Sequence, residues 1–421
     1  MAILLMLLGL AWVAWPRPWL GVLGLAVLSY MHPQGYATGF MRHVPVYLYL
    51  FGWVSLCALH RVWREKSWAS LPWRRVLDWR IFGLLGLWAW FGVTSHYSVA
   101  PWEAWDKYRD VLKILPPFLL TLLLIDSREK LHYLIVAIAL SFLLMALKGG
   151  YWAVLSGFQD RVYGPPGSPY ADNNGFAVAV AMAIPLMVLW LREARDRGLR
   201  IVLLAGIALA YASVVSSWSR GGMLALGSMT LLLVWHSKRK LLAIPLLVAL
   251  LAVLFVQLPE QWFGRMESVS SYQADQSALG RVQAWRVGLD FAARHPVTGG
   301  GFNAWPALTL GTADGLDWHS AYVEMLAEHG YVGLTLWAGL LAATLLSLTR
   351  GGRRPAWRKE YGAMLQASLM AYLVGGITLG IAYWELPYHL VVLAALLGGL
   401  SPPGGTVSEP TPLDRRGMAD G

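Results

Sequence analysis

A single cysteine, Cys57, occurs in 421 residues, and it lies inside an apolar run. That leaves no disulfide framework and no thiolate metal site. Charged residues make up only 14% of the chain against 57% hydrophobic ones, and the mean hydropathy is +0.49. Soluble domains carry about 25% charged residues, so an ordinary soluble protein is excluded. No HExxH pair, Walker loop or Asp-x-Asp pair is present. Without them there is no recognisable cradle for a nucleotide and no carboxylate pair to hold a divalent ion on a sugar diphosphate. The expectation is therefore no metal and no cofactor. Ionisable residues are also scarce within the apolar runs, whereas transporters bury them near the membrane midplane.

What the chain does have is apolar segments, at about 1–15, 18–31, 44–62, 80–97, 111–125, 131–148, 173–191, 200–217, 221–236, 240–257, 320–349, 361–383 and 388–400. They predict an all-α polytopic integral membrane protein of about 12 transmembrane helices. The number is 12 or 13 because Pro16-Arg17-Pro18 leaves the first two segments as either a hairpin of short helices or one broken span. Several segments are shorter than the ~20 residues a span needs. The N-terminal run has neither a basic n-region nor a small-residue cleavage site and reads as a retained helix. Twenty-three tryptophans and 18 tyrosines suit many membrane-water interfaces. The net charge of +10 comes from short basic clusters: six Arg or Lys between Arg61 and Arg80, four between Arg192 and Arg200, three from Lys238 to Lys240, and five between Arg350 and Glu360. These are cytoplasmic loops by the positive-inside rule, not a nucleic-acid surface.

Parity places the remaining connections on the outer face, the periplasm in a Gram-negative cell. Residues 1–400 thus form one transmembrane domain, with 258–318 as a periplasmic lid loop containing short helices. The Gly-, Pro- and Ser-bearing tail, 401–421, is expected to be disordered.

The lid is the one long polar excursion, and so the place to look for chemistry. Arg281 is expected to open a helix on which Trp285, Leu289 and Ala292 recur at helical spacing, with His295-Pro296 as its end. Gly299, Gly300 and Gly301 reverse the chain. Asp317 is the expected N-cap of the next helix, with His319 in its first turn and a break at Gly330. There the partial positive charge of unpaired N–H groups would keep the imidazole neutral, as a general base requires, although His319 also reads simply as a capping or interfacial histidine. Ser320 and Glu324, four apart on one face, are candidates to orient it; Tyr322 lies beside them. Arginine on the outer face runs against the charge rule. Arg220, in SSWSRGGM, is either an interfacial arginine or a phosphate clamp assisted by Gly221 and Gly222; Arg281 poses the same choice. Arg161 and Arg265 are secondary candidates. In RVYGPPGSPYADNNG, Asp172 or Asn173 is the natural N-cap of the following helix, or lines the site.

Taken in order, SRGG at a helix hairpin, GRVQAWRVGLDFAARHPVTGGGF and HSAYVEMLAEHGYVG resemble the O-antigen ligase family of polytopic membrane glycosyltransferases. The layout is similar in particular to its branch of O-glycosylation ligases associated with exosortase systems. The resemblance covers about residues 1–400. It implies transfer of a glycan from undecaprenyl diphosphate to an acceptor hydroxyl, on a lipid A-core sugar or a protein, at the periplasmic face of the inner membrane, without metal or nucleotide. By the same resemblance Arg220 and Arg281 match diphosphate-binding arginines and His319 an essential histidine. A polymerase using the same donor and a protein O-glycosyltransferase remain open, and a lipid-glycan transporter is disfavoured by the clustering of the polar residues at one face.

Overall fold

The computed structural model describes residues 2–37, 39–64, 73–267, 276–308, 317–349 and 355–400, and they are helical almost throughout. The helices are α1 (Ala2–Ala14), α2 (Pro18–Met31), α3 (Val46–Arg64), α4 (Trp73–Val76), α5 (Trp79–His96), α6 (Pro101–Leu112), α7 (Leu115–Leu124), α8 (Arg128–Leu155) and α9 (Asn173–Glu193). They continue with α10 (Arg197–Val215), α11 (Arg220–Trp235), α12 (Lys240–Val256), α13 (Glu260–Glu267), α14 (Gln276–Arg294), α15 (Ala304–Leu308), α16 (Ala321–Thr349), α17 (Ala356–Gly375) and α18 (Glu385–Gly399). The expected tail, 401–421, and parts of the lid, 268–275 and 309–316, lie outside the described residues.

Among the described residues five helices, α3, α8, α9, α10 and α16, are long and apolar enough to cross a membrane, and five shorter apolar ones accompany them. The protein is a helical membrane protein. α1 and α2 are two short packed helices, because Gly24 of α2 lies against Leu10 of α1, which resolves that ambiguity in favour of a hairpin. Most segment boundaries agree with the hydropathy pattern. The exception is 361–383: α17 stops at Gly375, and 376–384 is a non-helical turn that matters for the site.

The core is built around α9, buried along nearly its whole length among α8, α10, α11 and α17. Small residues make this possible, since lipid offers no hydrophobic drive between helices and close backbone approach must supply the packing. At Gly150 of α8 a β-carbon would stand 2.2 Å from the Leu209 carbonyl oxygen of α10. α12 is the opposite case: Leu254 is its one buried residue, while Leu241 is 95% exposed, as a lipid-facing helix should be.

Polar contacts sort the helix ends into two sets. Arg128 at the start of α8 pairs with Glu193 at the end of α9 at 2.8 Å, and Arg192 pairs with Glu360 at the start of α17 at 3.2 Å. These, with Arg200 and Lys238, form the basic end. At the other end Asn173 Nδ2 donates to the Ser217 carbonyl at 2.8 Å, and Ala321 N donates to the Gly376 carbonyl at 2.8 Å. The start of α9, the α10–α11 turn, the start of α16 and the end of α17 therefore meet there.

A candidate active site at one end of the bundle

Two helix starts define the site, and they are built alike. α11 is preceded by Trp218 at φ 58° and Ser219, whose Oγ accepts from Gly222 N at 3.0 Å. α16 is preceded by His319 at φ 47° and Ser320, whose carbonyl accepts from Glu324 N at 2.8 Å and whose Oγ faces Val323 N at 3.5 Å. Left-handed backbone at a tryptophan and a histidine is strained, costing about 1–3 kcal/mol each, and strain of this kind collects at functional sites.

This corrects three expectations. Asp317 does not cap α16: its Oδ1 accepts from the adjacent Trp318 N at 2.7 Å, and the helix begins only at Ala321 after Ser320. His319 consequently lies before the first turn. Ser320 and Glu324 do not orient the imidazole, because Ser320 serves the helix start and Glu324 Oε2 accepts from Ala382 N at 3.0 Å. Arg281 does not open its helix either, since α14 starts at Gln276 and places Arg281 in its second turn. Leu289 is exposed, and the buried face of α14 is Ala284, Gly288, Phe291 and Ala292. The helix does end at Arg294, before His295-Pro296, and α16 does break at Gly330, at φ 68°.

His319 is held by its neighbours. Trp318 is 1% exposed; its Nε1 donates to Glu328 Oε1 at 3.1 Å and its carbonyl accepts from Trp285 Nε1 of α14 at 3.0 Å. The half-buried imidazole that follows has its pKa lowered from the usual 6.5, first by burial and then by the positive charge of Arg281, with Asp317 and Asp172 opposing. The ring is thus neutral at neutral pH, for a reason other than the expected helix N–H groups. Arg281, Asp317 and Asp172 thus lie close enough to His319 to act on its charge.

The remaining candidates divide. Asp172 caps α9, accepting from Asn174 N and Gly175 N at 2.9 and 3.0 Å. Asn173 ties α9 to the α10–α11 turn. Arg161 lies over the Trp218 ring at 5.5 Å, beside the start of α11. Arg220 is half-buried at that start, and a β-carbon on the next residue, Gly221, would stand 2.3 Å from Thr378 Oγ1. The 376–380 turn therefore bridges Arg220 to Asp317, which lies against Gly380. Tyr322 points away, donating to the Leu373 carbonyl at 2.9 Å. The side chain of Arg265 lies outside the described residues, although its backbone belongs to α13.

Sequence reasoning missed Glu328 and His329, deeper in α16, and their partners. Tyr383 donates to Glu328 Oε2 at 2.6 Å and lies 2.9 Å from His329 Nε2, while Thr94 Oγ1 lies 2.6 Å from His329 Nδ1. The available signal was an ionisable pair, Glu328-His329, within an apolar segment. Among the described residues no group of three or more His, Cys, Asp or Glu is placed to hold a metal ion.

A bundle of apolar helices with an uncharged imidazole and an arginine gathered at one end defines a multi-pass membrane protein with one concentrated polar site. Residues 205–338, which contain Arg220, Arg281 and His319, match the family described as O-antigen ligase, and this match supports membership of that family. Residues 1–196 match a family of unknown function (DUF5935). No curated protein matches the chain. The match points to a membrane enzyme of the glycosyltransferase type, a class whose substrates are in general a lipid-linked glycan and an acceptor.

Proposed function

We propose that the protein is an O-antigen ligase. It transfers a glycan from undecaprenyl diphosphate to a hydroxyl of a lipid A-core sugar at the periplasmic face of the inner membrane, with inversion and without a metal ion. In this reading residues 1–400 form one catalytic membrane domain with 258–318 as its lid. The observation that carries it is that Arg281 lies close enough to help hold His319 neutral, at the end of the bundle where Arg220 also lies. The acceptor hydroxyl attacks the anomeric carbon and passes its proton to His319; the bond to the diphosphate breaks, and its charge is met by Arg220 and Arg281. Guanidinium groups suit this task because their fork matches two phosphate oxygens at once.

The test is reconstitution of the purified protein in lipid nanodiscs with a lipid-linked glycan and, separately, lipid A-core, an acceptor protein or no acceptor, each with and without EDTA. A single glycan-lipid A-core product, unchanged by EDTA, is expected. A ladder of growing glycans would mark a polymerase and a glycosylated protein the protein ligase. Loss of product with EDTA, restored by magnesium, would remove the metal-free mechanism.

A further inference from the structure

Beside His319 lies a cavity of about 740 Å³, a size typical of small-molecule sites. Its wall holds four carboxylates, Asp317, Glu324, Glu328 and Glu385, with Lys107 as the cation, and its aromatic lining includes Tyr170, Tyr383 and Trp384. Asp317 connects it to the site, since the same carboxylate lines the cavity and acts on the His319 ring.

The four acids are not equivalent. Glu328 is satisfied at both oxygens by Trp318 and Tyr383. Glu385 accepts from Ser29. Glu324, only 7% exposed, uses Oε2 to accept from Ala382 N, while Oε1 has no hydrogen-bond partner among the described residues. Oε1 is not one of the buried orphan atoms, so it is open to the cavity and has acceptor capacity to spare there. Glu324 lines the cavity, so a donor can come from an occupant.

We infer that this cavity binds the acceptor through its non-phosphorylated terminal sugar, with Glu324 Oε1 accepting from a sugar hydroxyl. The assignment to the acceptor rests on the transfer reaction proposed above. Four carboxyl groups and a single ammonium offer a phosphate few cationic donors, so the diphosphate of the donor belongs with Arg220 and Arg281 and not here. An inverting displacement brings the attacking hydroxyl to the face of the anomeric carbon opposite the leaving group. The acidic cavity and the arginines, met at His319, supply those two faces. Aromatic walls and carboxylates together suit a sugar, which offers apolar ring faces and hydroxyl donors.

The test uses the protein in nanodiscs and three soluble probes observed by saturation-transfer NMR: a neutral hexose trisaccharide, the corresponding hexosamine trisaccharide, and the hexose trisaccharide bearing a phosphate monoester. The first two should bind, and the third at least about tenfold more weakly. Glu324→Gln, which keeps the shape, should weaken the neutral probe about ten- to hundredfold, the range for one charge-assisted hydrogen bond. It should also narrow the discrimination against phosphate. Lys107→Gln, at a half-buried wall position, should widen that discrimination, and it stands in if Glu324→Gln fails to fold. A purely structural role would not move the preference in opposite directions. Equal binding of the phosphorylated probe, or neutral-probe binding untouched by both variants, would overturn the inference. So would tight binding of calcium alone that Glu324→Gln abolishes, since the cavity would then be a cation site. If glycans bind as expected yet no lipid donor supports transfer, the proposed reaction fails while the sugar site stands.

Discussion

Replacing His319 by glycine instead of alanine separates its chemistry from its backbone role. At φ 47° any L-residue pays about 1–2 kcal/mol that glycine does not, whereas glycine's extra freedom in the unfolded chain costs about 0.5–1 kcal/mol. The two nearly cancel, so His319→Gly should match the parent in stability to within about 1 kcal/mol, and His319→Ala should be the less stable variant. Turnover should behave differently. A general base contributes about 10²- to 10⁴-fold, or roughly 3–5 kcal/mol of barrier, and both variants should lose it. The assay is single-turnover transfer and donor binding in one nanodisc preparation, with the thermal midpoint measured in detergent. A pH series adds a sign. Burial and Arg281 lower the His319 pKa below 6.5, so parent transfer should persist through 6.5 and decline only at more acidic pH. Transfer by His319→Gly within a few fold of the parent, or lost donor binding in step with lost transfer, would refute the base assignment. Titration of His319 in the donor-free protein at or above 6.5 would refute the account of the neutral ring.

Arg281→Gln removes a cation that lowers the His319 pKa, so the acid limb of the pH profile should move to higher pH; a limb that stays in place would uncouple the two residues. Arg220→Ala should weaken donor binding about ten- to hundredfold, with Arg220→Lys a partial rescue because a point charge lacks the bidentate fork; equal binding by the Ala variant would make Arg220 an interfacial anchor. Gly330→Ala forces a β-carbon to within 2.2 Å of the Val297 carbonyl oxygen at φ 68°, and should lower the thermal midpoint by the equivalent of at least about 1–3 kcal/mol. An unchanged midpoint would mean the kink relaxes without cost.

The parts of this architecture that hydropathy can see were legible. α8, α9, α10 and α16 start within three residues of the expected segments, and the basic clusters at Arg192, Lys238 and Glu360 do meet around one cavity. What failed was local chemistry that depends on distant partners. The run 361–383 is apolar throughout, yet its last residues leave the helix at Gly375 and Gly376 so that Gly376 can accept from Ala321 and Ala382 can donate to Glu324. Composition does not distinguish that turn from helix. Glu328 and Tyr383 are 55 positions apart, and no periodicity announces their hydrogen bond. Asp317 was a reasonable cap by residue type, but burial of Trp318 turns the chain before the helix can begin, and the serine after His319 takes the cap instead.

That displacement changes the electrostatic argument for the site. A helix start favours an anion only where its first N–H groups are available. At α16 three of them are committed: Ala321 N to the Gly376 carbonyl, Val323 N towards Ser320 Oγ, and Glu324 N to the Ser320 carbonyl. The helix therefore has little to offer either an incoming diphosphate or the imidazole before it. Under the proposed mechanism the diphosphate must rely on guanidinium side chains, and the arginine that meets it is also one that keeps His319 unprotonated. Bringing the diphosphate to Arg281 would partly neutralise that charge and let the His319 pKa rise, so the base would strengthen as the donor binds. The acid limb of transfer measured with saturating donor should then lie at higher pH than the limb for His319 titration in the donor-free protein, followed by NMR of labelled histidine. Identical limbs would place the diphosphate too far from Arg281 for the proposed arrangement to hold.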